Sequence, residues 1–229
     1  MRALEEKNEE IKWQGLPASR YTAALFAGEK AIPKYRNVRL GLYTCTIVKP
    51  GEKLPLIMDI SFELDPSLPE LPKVGITAEI PACYGNITWF GAGPDENYSD
   101  RKAAAFLGRY QHTVAELEIP YAVPQENGNR GGIRAITLGG EKIPAGKPRA
   151  FNIRPEQPLN FSVSRYTREN LMAALHTCDL VDISVGEKGY YLLNIDIAQR
   201  GLGTATCGPD TREEYRIRPG SFGMRLWIY

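Results

Sequence analysis

With 229 residues, the chain is long enough to bury roughly 70% of its unfolded surface, which suits one large all-β domain or two small domains. Its 28 basic and 27 acidic residues leave a net charge of +1, interspersed along the sequence, which excludes the basic footprint of a nucleic-acid or anionic-membrane binder. No apolar run approaches the ~20 residues of a membrane span, and the opening Met1–Glu10 lacks the apolar core of a signal peptide.

In chain order, the first ten residues read either as a charged helical turn or as disorder. Residues 1–36 are therefore left as an unassigned N-terminal part, or as first strands of the same domain. A strand is expected near 37–49, closed by the turn Lys49-Pro-Gly-Glu52. Over 56–64, Leu56, Met58, Ile60, Phe62 and Leu64 alternate with Asp59, Ser61 and Glu63, the pattern of a half-buried strand. The turn Asp65-Pro-Ser-Leu-Pro69 leads to a strand near 73–80. Residues 100–108 have helical propensity. After the turn signal Asn127-Gly-Asn-Arg-Gly-Gly132, strands are expected near 133–138 and 159–164. Thr167 is placed to cap one short helix over 168–176, with Leu171, Met172 and Leu175 as its apolar stripe. Val181, Ile183 and Val185 alternate with Asp182 and Ser184 as a further strand. Strands near 190–198 and 214–218 follow, and Phe222, Met224, Leu226 and Ile228 close the chain with the same alternation. Many short strands with Pro/Gly turns, no repeat and no linker predict one all-β sandwich domain over 37–229.

The search for chemistry is mostly negative. Cysteines at 45, 83, 178 and 207 form no C-x-x-C, and His112 and His176 are the only histidines, so no metal site is expected. The cysteines read as free thiols, with one disulfide left open. No Ser-His-Asp set and no G-x-S-x-G occurs. Gly201-Leu-Gly203 lacks the third glycine and the βαβ setting of a dinucleotide fingerprint. Glu96 and Glu126 each open a Glu-Asn pair in a Gly/Pro-rich loop. Two carboxyls about 5–5.5 Å apart would serve a retaining glycosidase. The favoured alternative is that they tie loops to backbone N–H groups and to Arg101, Arg130, Arg134 or Arg165. From these residues alone the chain is a β-sandwich without a self-contained active site.

The stretch Trp89-Phe-Gly-Ala-Gly-Pro-Asp-Glu-Asn-Tyr-Ser-Asp-Arg101 resembles the W-x-G-x-G-P-x-E-N-Y-x-D-R signature of glycoside hydrolase family 2 β-galactosidases. Three more segments resemble the same family in order: Pro120–Arg130, Phe161–Thr167 and Leu193–Gly203. The resemblance implies the C-terminal, small-chain region of such an enzyme, an antiparallel supersandwich of the galactose-mutarotase-like type. It implies that Trp89, Gly91, Gly93, Pro94, Glu96, Asn97, Tyr98, Asp100, Arg101, Glu126, Asn127, Arg130 and Arg165 are structural. The family's catalytic glutamates, and its Mg²⁺ and Na⁺ sites, are implied to lie outside this chain, so no cofactor is expected in it. The remaining domains or large subunit of the parent would be its partners, and a galactoside would meet it only in the assembled enzyme. The compartment, cytoplasmic or periplasmic, would follow from the parent's N-terminus. In the family, a tryptophan on the loop after the G-[IL]-G segment stacks on the sugar. Aligned on Pro209, Cys207 takes that position, flanked by Thr206 and Gly208. Losing ~100 Å² of indole contact would weaken that subsite by about 2 kcal/mol. Two other functions compete: an independent carbohydrate-binding module, and a mutarotase-like enzyme suggested by the implied fold.

Overall fold

The computed structural model describes residues 2–13, 16–26, 39–51, 54–140, 143–203 and 208–229, with backbone alone for 2–13, 16–18, 21–26 and 39. In chain order the strands are β1 (Arg2–Trp13), β2 (Leu16–Phe26), β3 (Arg39–Val48), β4 (Leu56–Leu64), β5 (Lys73–Pro81), β6 (Asn86–Gly93) and β7 (Phe106–Thr113). They continue as β8 (Arg130–Ile133), β9 (Ala135–Gly139), β10 (Ala150–Pro155), β11 (Leu159–Ser164), β12 (Tyr190–Gln199) and β13 (Ser221–Ile228). Two short helices, α1 (Val114–Leu117) and α2 (Arg168–Ala173), interrupt them. None of the described helices is long and apolar enough to cross a membrane.

The strands form two antiparallel sheets. One has nine strands in the order β1-β2-β3-β4-β13-β10-β9-β6-β7, the other four in the order β5-β12-β11-β8. A single buried cluster joins them. Phe62, Ile87, Trp89, Ile136 and Leu226 enter it from the large sheet, and Val74, Ile133, Phe161, Leu193 and Ile195 from the small one. Alternation makes this possible, because period-2 side chains leave one whole face of each strand apolar. Each large buried side chain contributes about 1.5–3 kcal/mol. Gly91 lets the sheets meet, because a Cβ there would stand 2.9 Å from the Ile133 Cα. The antiparallel all-β architecture and the strand at 56–64 are as the sequence predicts.

The opposite face of the small sheet breaks the usual rule. Ser162, Asn194 and Asp196 point away from the apolar cluster yet are 5%, 6% and 1% exposed. Arg168, the first residue of α2, reaches over this face and donates to Thr77 Oγ1 (2.6 Å) and Asn194 Oδ1 (2.5 Å). A buried polar face of this kind is tolerated only where its groups find partners.

Several expectations are corrected. The helix expected over 168–176 ends at Ala173. The predicted cap holds, with Thr167 Oγ1 accepting from Asn170 N at 3.1 Å, but only Leu171 of the stripe is buried. Met172 and Leu175 are 86% and 72% exposed, and His176 instead opens a 3₁₀ turn over Thr177–Asp179. The segment 181–185 is not a strand, because Asp182 Oδ1 accepts from both Ser184 N (2.8 Å) and its hydroxyl (2.5 Å), folding it into a side-chain turn. Residues 214–218 hold a 3₁₀ turn at Glu213–Tyr215, and Ile217 makes only an isolated bridge to Leu71. The helical propensity of 100–108 is overridden: a turn at Lys102–Ala105 precedes β7, which pairs with β6 along its whole length. The opening residues are neither helical nor without structure, since β1 pairs with β2.

Candidate functional site

The Trp89–Arg101 motif begins inside the core and ends at the surface. Trp89 is 1% exposed, 5.3 Å from Tyr110 and 5.7 Å from Phe161 by ring centroid. A Cβ on Gly93 would lie 2.8 Å from the Tyr110 ring, so the strand carries glycine where these rings crowd it. The chain then turns through a cis Gly93–Pro94 bond into the polar half of the motif.

Glu96 is the anchor of that half. Its side chain is 6% exposed and accepts from Tyr121 Oη, Arg101 Nη2, Gly128 N (2.9 Å) and Tyr98 Oη (3.3 Å). Burial pushes its pKa up, but the bonds from Tyr121, Gly128 and Arg101 outweigh it and hold the carboxyl below its usual range. Burial and the adjacent Glu96 raise the Tyr98 phenol. A carboxylate so fully supplied with donors has no free lone pair aimed at a substrate and is poorly suited to acid–base work. Glu126 belongs to a different set: it bonds Lys73 Nζ, not one of the arginines expected from the sequence.

The rest of the motif interlocks with the second segment. Asn97 N donates to Asn129 O (2.8 Å), Asn129 Nδ2 returns a bond to Asn97 O (2.7 Å), and Gly131 N donates to Asn97 Oδ1 (2.9 Å). Asn127 Oδ1 accepts from Ile119 N at 2.9 Å. Arg130 is 2% exposed and lies 5.7 Å over the Trp89 ring, with Nη1 on the carbonyls of Leu117 and Gly128, both at 2.7 Å. Burial lowers its pKa to about 10. Arg165 forks onto Glu118 Oε2 through Nε (2.9 Å) and Nη2 (2.7 Å), and reaches Asp182 at 3.2 Å. These are tertiary ties between loops.

Asp100 differs, because both its oxygens leave the motif. Oδ1 accepts from Leu202 N (2.9 Å) and Oδ2 from Gly203 N (2.7 Å), at the base of the loop singled out in the sequence. Gly201 is needed there, since a Cβ would come within 2.6 Å of the Asp100 carboxyl carbon. Gly203 has φ +64° and its Cβ would meet Thr211 N at 2.5 Å. The far side of the loop is fixed as well. Thr211, fully buried, donates to Gly201 O (2.8 Å), and Asp210 accepts from Arg200 at 2.8 Å. Glu70 in turn holds Arg216 at 3.2 Å and Arg200 at 3.6 Å. Thr206 and Cys207 lie outside the described residues, and Gly208 is exposed.

A second cluster was missed in the sequence. Asp196 Oδ2 is buried without a hydrogen-bond partner, its nearest cation being Lys73 Nζ at 3.6 Å. Burial raises its pKa to about 6, against the pull of Lys73. The sequence signal was a pair of polar residues, Asn194 and Asp196, alternating with Leu193, Ile195 and Ile197 in one strand. Cys45, Cys83 and Cys178 are free thiols.

Comparison with known proteins bears on this scaffold. The family model described as beta galactosidase small chain matches residues 43–228. The beta-galactosidase of Vibrio cholerae serotype O1 is 38% identical over 146 residues, covering 64% of this chain and 13% of that enzyme. That of Arthrobacter sp. strain B7 is 32% identical over 182 residues, covering 78% of this chain and 17% of the enzyme. The chain thus spans less than a fifth of the length of these relatives. A solved structure of a candidate aldose 1-epimerase from Escherichia coli K12 superposes with a TM-score of 0.39 at 10% identity, covering 97% of this chain and 68% of that one. With most of its length matched by one family model, the chain belongs to the β-galactosidase small chain family.

Proposed function

We propose that this chain serves as the small-chain region of a β-galactosidase-type glycoside hydrolase, where it completes the wall of an active site whose catalytic glutamates lie elsewhere in the parent. The observation that carries this reading is the grip of Asp100 on Leu202 N and Gly203 N. Two charge-assisted bonds, with Thr211 across the base, fix the backbone at Gly201, Leu202 and Gly203. A loop with a rigid base can present a side chain to a galactoside without ordering it at each turnover. On this reading Cys207 occupies the sugar-stacking position, and the acceptor subsite is weaker than one lined by an indole.

The chain is non-catalytic by itself. Glu96 is consumed by its own scaffold, and Glu126 is held by Lys73. The Mg²⁺ and Na⁺ implied by the resemblance are, on this reading, bound by other parts of the parent. The partners are those parts. Phe90 and Tyr229, 42% and 54% exposed beside Trp227 and Arg154, give the outer face of the large sheet the aromatic and arginine composition of a packing surface.

Reconstitution tests this. Neither this chain nor the remainder of the parent should hydrolyse nitrophenyl galactoside, whereas the mixture should. Asp100→Ala should lower kcat/KM of the mixture by about tenfold, the loss of one to two charge-assisted bonds at the loop base. Turnover by the pure chain that disappears in Glu96→Gln or Glu126→Gln would overturn the reading.

A further inference from the structure

We infer that the cleft along the free edge of β5 is a binding site for a neutral polyhydroxylated ligand of monosaccharide size, gripped by Asp196, Arg168 and Lys73. The cleft has a volume of about 610 Å³, within the range of small-molecule sites. One wall is apolar and aromatic, built from Leu40, Tyr43, Phe62 and Leu71. The other end is charged.

Three features mark it as a built site. First, Asp196 Oδ2 reaches burial with no hydrogen-bond partner, although Asp196 lines the cleft. An unmet carboxylate oxygen at 1% exposure is an acceptor waiting for a donor. Second, space is kept for it. A Cβ at Gly75 would sit 2.2 Å from Asp196 Oδ1, so the edge strand carries glycine where the carboxylate crosses it, and a bulge at Asp196/Ala198 re-aims the strand there. Third, the charged groups converge from separate segments: Lys73 from β5, Arg168 from α2 and Asp196 from β12 line the cleft, and Glu126, from the loop before β8, pairs with Lys73 from outside the lining.

The chemistry of the ligand follows from the charge balance. The charged groups that line the cleft are two cations, Lys73 and Arg168, and two carboxylates, Glu70 and Asp196, so an anion meets repulsion from the carboxylates, and a metal ion meets Lys73 and Arg168. Vicinal hydroxyls suit such a set, because each hydroxyl both donates to a carboxylate and accepts from a guanidinium or ammonium. The apolar wall then takes the C–H face of a sugar ring, as Tyr and Phe rings do. The inference stands whether or not the chain assembles into a hydrolase.

The test is titration of the 229-residue chain with D-galactose, D-glucose and inorganic phosphate, followed by calorimetry and by shifts of backbone amides. Saturable hexose binding is expected, with phosphate silent, and perturbed amides should map to β5 and β12. Asp196→Asn and Arg168→Met should each weaken affinity by about tenfold, one charge-assisted bond each. Arg168 is only half-buried, so Arg168→Met keeps the test decisive if Asp196→Asn fails to fold. Hexoses that do not bind at about 50 mM, hexose binding indifferent to both substitutions, or phosphate binding at these residues would each overturn the assignment.

Discussion

Asp196→Asn separates a structural carboxylate from a functional one by its dependence on pH. The folded chain holds the Asp196 pKa at about 6, chiefly through burial, against 3.8 for a free side chain. A raised pKa on an acid means that the fold prefers the neutral form. Below about pH 3 Asp196 is neutral in both states and contributes no pH-dependent term. As pH rises toward 6 the unfolded chain ionises freely while the folded chain resists, so stability falls. Roughly two pKa units correspond to about 3 kcal/mol lost by pH 7, a net figure that includes the attraction of Lys73. Asparagine has nearly the same shape and never ionises. The variant should match the parent chain near pH 3 and be more stable by up to about 3 kcal/mol at pH 7–8. Urea unfolding of both proteins at several pH values gives the difference directly, with other titrating groups cancelling. A difference that stays flat with pH, or a variant less stable at pH 8, refutes the reasoning.

Three further outcomes follow from the scaffold. Glu96→Gln removes the charge that Arg101, Tyr121 and Gly128 N converge on. It should cost about 2 kcal/mol at pH 7 in urea unfolding, and no loss there would contradict the anchoring role. Because the Glu96 pKa is lowered, its contribution is present above the usual carboxylate range and vanishes as pH falls through the folded value, opposite in sign to Asp196. Gly91→Ala drives a Cβ to 2.9 Å from the Ile133 Cα and 3.1 Å from Gly132 O, backbone that has little room to give. Thermal unfolding should register a loss of about 1–3 kcal/mol, and an unchanged midpoint would mean that the sheets are not held in this contact.

What the sequence disclosed, and what it hid, has physical causes. β4, β11, β12 and β13 were legible because one face of each is apolar at period 2. β6 was not, because its inner face runs Ile87, Trp89, Gly91, Gly93, and two glycines conceal the alternation just where Ile133 and Tyr110 press against the strand. β7 is an edge strand with Phe106 and Leu107 exposed, so hydrophobicity along it does not report which face is buried. Val181 and Val185 misled for the opposite reason: they alternate with polar residues but are 64% and 76% exposed on a turn that Asp182 dictates. At the candidate site, the Glu96–Arg101 pairing was among those expected, but the other partners were not. Arg130 was expected to meet a carboxylate and instead meets three carbonyls, of Pro94, Leu117 and Gly128, an arrangement that depends on α1 ending at Leu117 beside the Gly128 turn. The Lys73–Asp196 pair was hidden because its members belong to strands that become neighbours only through the β5–β12 pairing.

Glu96 and Asp196 set the limits of what a buried carboxylate can do in this fold. Glu96 has a donor for each oxygen, drawn from a tyrosine, an arginine and a backbone amide. Ionisation there strengthens bonds that join three loops, so the charge contributes to stability and is unavailable to a ligand. Asp196 is buried more deeply than its partners repay, with one oxygen unmet and its nearest ammonium shared with Glu126. A ligand hydroxyl would supply the missing donor and ease ionisation, so hexose affinity should rise as Asp196 loses its proton between about pH 5 and 7. The two substitutions therefore point in opposite directions. Glu96→Gln should loosen the fold without regard to sugar, while Asp196→Asn should tighten the fold and abolish the pH dependence of hexose binding. Hexose affinity that is flat over this pH range in the unsubstituted chain would place the ligand's contacts on groups other than Asp196.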